Sequence, residues 1–321
     1  MLPNDTSPVD VTDEHVSTLM PAFDYDQLAP AALLTPSPQH LLDQTVSYMN
    51  VQYAAPLGWR PLLLDVHLPA RGNGPYPAVI YVHGGSFLGG IKEMGPWLSL
   101  PAAGIAVVSV SYRLSGEARF PEPIEDIREA VRWTRFNAEK FNLDPDSLAL
   151  WGSSAGAYLA SMVAVTGDSA VGRTTGASIS ATARVAGVVN HYGISDFLAL
   201  REDAFENDES EMDALARIVR QFLGFDPSTD RERAALTSPA VLAAGQGTTP
   251  PFLFMHGDKD HRVGFGQSLR FHRSLLGLGR SSTLITVAGA DHGDSVFAEA
   301  EAVGQAITFL RMCWANHSSN D

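Results

Sequence analysis

Ser154 lies between Gly152 and Gly156 in the stretch WGSSAGAY, and this Gly-x-Ser-x-Gly spacing is one that holds a nucleophilic serine in a tight turn. Both glycines are two residues from Ser154, so Ser153 is the x. SLALWG before it reads as a buried strand and AYLASMVAV after it as a helix, a context that lifts the hydroxyl above a sheet edge at a helix N-terminus. The N–H of Ala155 is then placed to face a developing oxyanion. A serine hydroxyl is a poor nucleophile at neutral pH and needs a base, usually a histidine oriented by a carboxylate. Among ten histidines, His292 in the polar loop AGADHGDS is the one placed to swing over a sheet edge, between the last strand and the last helix. Asp258 and Asp260, in MHGDKDHRV just past another buried strand, both qualify by location as the carboxylate. YVHGGSFLGG supplies consecutive glycines whose N–H groups can approach a substrate, with His83 bracing that loop.

Other chemistries fit less well. His256, Asp258, Asp260 and His261 have a metal-like composition, but Gly257 breaks any helix face and no zinc-type spacing is present, so no metal is expected. The glycine-rich loop lacks both GxxxxGK[ST] and GxGxxG, and the proposed chemistry needs no cofactor. The net charge of -14 argues against a nucleic-acid partner and disfavours anionic membranes. Cys313, the single cysteine, sits in the apolar run FLRMCW as a small core residue. No apolar run approaches a membrane span and the first residues lack a signal-peptide pattern, so a cytoplasmic protein is expected. A homo-oligomer is compatible with these features.

The elements that must position these side chains alternate. LLLDVHL, PAVIYVHGG, IAVVSVSY, SLALWG, RVAGVVNHYG, PFLFMHG and TLITVAG read as strands. Helical spacing appears at 123–141, 155–165, 267–278 and 294–313. The alternation implies βαβ units in a mostly parallel sheet covered by helices on both faces. Residues 1–50 read as an N-terminal arm that could act as a lid, with a capped helix after Ser37–Pro38 carrying Leu41, Leu42, Val46 and Met49. Residues 51–321 read as one domain. It carries a small cap insertion at 196–247, in which Met212, Leu215, Val219 and Phe222 give an apolar face behind an acidic run.

Together these segments resemble the hormone-sensitive-lipase-like and bacterial feruloyl-esterase-like branch of the α/β-hydrolases. The matching segments are LLLDVHLP, YVHGGSF, VSVSYRLSGEARFPEPIEDIREAVRW, LDPDSLALWGSSAGAYLA, the SPA…PPFLFMHGDKDHRVGFGQS block and AGADHG, spread over residues 60–312. Their order, serine then acid then histidine, is that family's order. The resemblance implies the α/β-hydrolase fold and a serine hydrolase that cleaves carboxylic esters through an acyl-enzyme. It places the acid on Asp260 rather than Asp258, and the oxyanion N–H groups on Gly84, Gly85 and Ala155, beside Ser154 and His292. The expected partner is a small, neutral, largely apolar ester. A lactonase or an amidase/peptidase on the same triad, and a non-catalytic ligand-binding protein of the same fold, remain alternatives. Three positions depart from the family pattern. Ser86 replaces a third glycine, Gly264 replaces a proline and is expected to loosen the acid loop, and Asp294 replaces an aromatic residue and makes the wall beside His292 polar.

Overall fold

The structure, a computed structural model, describes residues 45–169, 171, 180–206, 209–245 and 249–317. Its strands are β1 (Thr45–Ala54), β2 (Leu62–Pro69), β3 (Tyr76–Val82), β4 (Ala106–Val110), β5 (Leu143–Ser153), β6 (Val188–His191), β7 (Phe252–Gly257) and β8 (Ser282–Val287). They form one sheet in the order β1-β2-β4-β3-β5-β6-β7-β8. β1 pairs with β2 and β2 with β4 in antiparallel fashion, and every other pairing is parallel. This is the α/β-hydrolase architecture.

β4 and β7 are buried at every residue because helices cover both faces of the sheet, which is why they are apolar throughout instead of alternating. One face carries α1 (Glu122–Phe136), α2 (Ala155–Thr166) and α4 (Gly266–Gly277), packed around Ile80, Val108, Leu150 and Phe254. The other carries α5 (Ala300–His317), whose Val303, Ala306, Leu310 and Cys313 meet Val79, Ala149, Val189 and Leu253. Burial pushes the Cys313 thiol up to about 12, as befits a packed core group.

Two sequence expectations change here. Val46 and Met49 lie in β1, not on a helix, since the alternating run TVSYMNVQYA gains a ladder of backbone hydrogen bonds along β2. Leu41 and Leu42 of that expected helix, and residues 1–44 of the arm, lie outside the described residues. The last helix begins at Ala300 instead of Asp294, which caps a separate short turn over Ser295–Ala298.

The insertion between β6 and β7 contains α3 (Glu209–Leu223), preceded by a short turn at Leu200–Asp203. Its apolar face, Met212, Leu215, Val219 and Phe222, is buried as its spacing requires. Phe222 stacks on Phe87 at 3.9 Å between ring centroids and meets the edge of Tyr158 at 5.7 Å. The cap therefore packs on two residues that flank the glycine-rich loop and the serine turn. Among the described residues no helix is long and apolar enough to cross a membrane.

Candidate active site

β5 runs straight into α2, and the chain reverses within one residue. Ser154 takes φ 54 and ψ -119, a conformation that costs a non-glycine residue on the order of 1–3 kcal/mol. Glycine at the flanks makes the turn sterically feasible: a Cβ on Gly156 would collide with the Val82 carbonyl oxygen of β3, and one on Gly152 with the Gly156 carbonyl oxygen. The turn is tied to the neighbouring strand by Ser154 N–H donating to the His191 carbonyl at 2.9 Å.

Ser154 Oγ lies 2.8 Å from His292 Nε2, and His292 Nδ1 lies 2.7 Å from Asp260 Oδ2. An Nδ1 facing a carboxylate carries the proton, which leaves Nε2 as an acceptor for the serine hydroxyl. Asp260 is fully buried and its other oxygen, Oδ1, accepts from the N–H groups of Arg262 at 2.9 Å and Val263 at 2.7 Å. Burial by itself would raise its pKa. The hydrogen bonds from His256 and His292 outweigh that and hold the carboxyl well below the usual carboxylate range, so it stays ionised.

Asp258 is placed elsewhere: its Oδ1 accepts from Gly289 N–H at 2.6 Å at the exposed base of the His292 loop. The Ser153 hydroxyl is engaged by a different partner, accepting from Tyr81 Oη at 3.0 Å. Gly84 and Gly85 line the same cleft as Ser154 and His292, and Ala155 opens α2 immediately after the serine. The His83 ring donates to the Gly84 carbonyl at 2.7 Å and stacks on Tyr112, and burial lowers its pKa, so it braces the loop as a neutral ring. The cleft has a volume of about 410 Å³.

The structure adds residues that sequence reasoning missed. His256 Nε2 lies 3.0 Å from Asp260 Oδ2 and 2.7 Å from the Val263 carbonyl, while its Nδ1 meets Ser268 Oγ at 2.7 Å. Nε2 faces two acceptors and must carry a proton, which makes His256 a fourth donor to the acid. Asp291 ties the two loops together by accepting from the backbone N–H groups of His261 and His292 at 2.9 and 2.7 Å. The histidine and aspartate cluster weighed as a metal site is thus divided between the hydrogen-bonded pair His256–Asp260 and loop contacts of Asp258 and His261. Tyr192 sets its ring edge-on to His292 at 4.8 Å, a contact no motif announces.

The three departures each have a place. Ser86 lines the cleft at φ 57. Asp294 lines it too and caps the next turn through Val296 N–H. Gly264 does not loosen the acid loop. A Cβ there would collide with the Asp203 carbonyl oxygen, so the missing side chain admits the cap's backbone and the loop is packed down by it. Asp203 is in turn held by Arg270 at 3.0 and 2.9 Å and by Gln267 at 2.8 Å, both on α4.

Comparison with known proteins places this geometry in context. The BD-FAE family model matches residues 64–275. Esterase LipC of Mycobacterium tuberculosis is 29% identical over 240 residues, covering 72% of this chain and 56% of the relative. The isoprenylcysteine alpha-carbonyl methylesterase ICME of Arabidopsis thaliana is 27% identical over 235 residues, covering 72% and 53%. The chain thus spans about half the length of the curated relatives it matches. A truncated carbohydrate esterase from gut microbiota superposes with a TM-score of 0.74 at 24% identity, over 87% of this chain and all of that one, a likeness of fold.

Proposed function

The chain belongs to the BD-FAE family, and from that premise we propose that it hydrolyses carboxylic esters through an acyl-enzyme formed on Ser154. The observation that carries this reading is the continuous relay from Asp260 through His292 to Ser154 Oγ, with contacts of 2.7 and 2.8 Å. Ser154 attacks the ester carbonyl while His292 Nε2 takes its proton. Asp260 fixes the ring's tautomer and stabilises the imidazolium that results. The tetrahedral oxyanion is held by the N–H groups of Gly84, Gly85 and Ala155, each such donor being worth roughly 3 to 4 kcal/mol where it has been measured in other enzymes. His292 then returns the proton to the leaving alkoxide, and water repeats the sequence to release the acid.

Relatives named as esterases favour an ester over an amide as the substrate, and a cleft of about 410 Å³ favours a small neutral one. The test is turnover of a short p-nitrophenyl ester together with labelling by a fluorophosphonate. Turnover and labelling of the protein, both lost in Ser154→Ala, are expected. An unlabelled, folded protein with no turnover above that variant would overturn the reading in favour of a binding role, and faster turnover of matched lactones or amides would move it to those classes.

A further inference from the structure

Tyr192 directly follows β6 and takes φ 43, a left-handed conformation that costs a non-glycine residue on the order of 1–3 kcal/mol and persists only where its surroundings hold it. Its N–H donates to the Met255 carbonyl of β7 at 3.1 Å, and the carbonyl of His191 before it accepts from Ser154 N–H at 2.9 Å. The backbone that carries Tyr192 is thus tied to the serine turn on one side and to the strand leading to the acid on the other. The side chain is 8% exposed and lines the cleft with Ser154. Its ring lies 4.8 Å from that of His292 at an angle of 65°, with the buried Phe297 ring 4.6 Å away to back it. It stands at 74° to His256 at 6.4 Å, so one phenol ring adjoins both imidazoles that bond to Asp260. Among the described residues no other aromatic ring packs on His292.

In the free enzyme the His292 ring is held at both ends, Nδ1 at 2.7 Å from Asp260 Oδ2 and Nε2 at 2.8 Å from Ser154 Oγ. Acylation would remove the second hold. The Ser154 oxygen becomes an ester oxygen without a proton and can no longer donate to Nε2, which leaves a ring tethered through Nδ1 alone and able to turn about that bond. Resting on ester hydrolysis at Ser154, we propose that Tyr192 is a positioning residue for the second half of the reaction, its ring blocking that turn and keeping Nε2 aimed at the acyl carbon. There a water oxygen bonds to the acyl carbon as its proton passes to Nε2. The bond from that carbon to Ser154 Oγ then breaks, and the proton returns to Oγ as the carboxylic acid leaves. Loss of the ring therefore slows deacylation more than acylation, in which the serine hydroxyl still holds the imidazole.

The test uses p-nitrophenyl trimethylacetate, whose hindered acyl group slows the second step, with the wild type, Tyr192→Phe, Tyr192→Leu and Tyr192→Asn. Asparagine is included because it accepts the left-handed backbone that leucine resists. The deacylation constant is kcat divided by the fraction of saturated, acid-quenched enzyme that carries the acyl mass, and kcat/KM covers the steps up to acylation. In the leucine and asparagine variants the deacylation constant is expected to fall about ten-fold while kcat/KM falls less than about three-fold. Tyr192→Phe, which keeps the ring, is expected to hold both within about two-fold of the wild type. Equal losses in the two constants, no loss in either, or a phenylalanine variant as impaired as the leucine one overturns the inference while leaving ester hydrolysis standing. So does failure of both ringless variants to fold by circular dichroism, which would make Tyr192 a core residue alone. A wild type with no turnover above Ser154→Ala removes the functional reading itself.

Discussion

The two serines of WGSSAGAY differ by where their hydroxyls go. Ser154 Oγ meets His292, whereas Ser153 Oγ is engaged by Tyr81. Ser154→Ala is expected to abolish turnover and phosphonate labelling, and Ser153→Ala to keep the label. Label mapped to Ser153 by peptide mass would reverse the assignment. The two aspartates separate in the same way, and Asp260→Asn should lower kcat on the order of 10⁴-fold while Asp258→Asn costs far less. His256 gives a finer test. Removing its N–H from Asp260 in His256→Leu leaves the carboxylate more basic, and a more basic carboxylate holds the His292 proton more tightly. The acid limb of kcat/KM should then move to higher pH, with kcat down about ten-fold. His256→Gln keeps a donor and should restore much of both, whereas a purely packing role would lower kcat without moving the limb. Ser154 and His292 are legible in the sequence because each sits in a short loop after a recognisable strand. Asp258 and Asp260 are not separable by that logic, since both follow β7, and only the family pattern singles out Asp260. The role of His256 is not legible at all, because it depends on Ser268 and the Val263 carbonyl closing around the ring.

At the scale of elements, the strands and helices of the sheet are readable from period and burial, and the cap from the spacing of its four apolar residues. The start of the sheet is not. Val46 and Met49 read as part of a helix when Leu41 and Leu42 are counted with them, and only the pairing with β2 decides for a strand. Gly264 misleads for a related reason: taken alone it signals looseness, but its cause is a chain that arrives from 61 residues upstream, at Asp203. Gly264→Ala should force the cap away from the acid loop. A loss of about 1–3 kcal/mol in denaturant unfolding is expected, with a larger loss of kcat/KM than of stability because Val263 N–H supports Asp260. Full activity in that variant would show that the two elements are not coupled. Phe222→Ala, which empties the stack on Phe87, should cost about 3–5 kcal/mol.

The whole molecule carries its own titration. Burial lowers His191 to about 3 and His67 to about 4, from an ordinary value of 6.5. Below that ordinary value the unfolded chain binds protons that the fold refuses. Stability contributed by the neutral rings is therefore complete above about pH 6.5 and falls as the pH drops towards 4 and 3. Each ring still neutral in the fold adds a slope of about 1.4 kcal/mol per pH unit. The depressed carboxyl of Asp260 acts in the same direction, its stabilisation being lost only in stronger acid as the pH falls through its folded value. Denaturant unfolding at pH 7, 6, 5 and 4 should show the decline, and His191→Leu should flatten it. An unchanged slope in that variant would assign the acid sensitivity to other groups.

Every residue of α2, from Ala155 to Thr166, is buried. A helix enclosed on all sides has no partial opening available to it, so its amide hydrogens should exchange with solvent only when the entire fold opens. The serine at its head inherits that cooperativity. Heating should then produce no state in which the protein remains folded but Ser154 has drifted: the temperature at which ester turnover reversibly fails and the temperature at which the near-ultraviolet circular dichroism signal collapses should coincide.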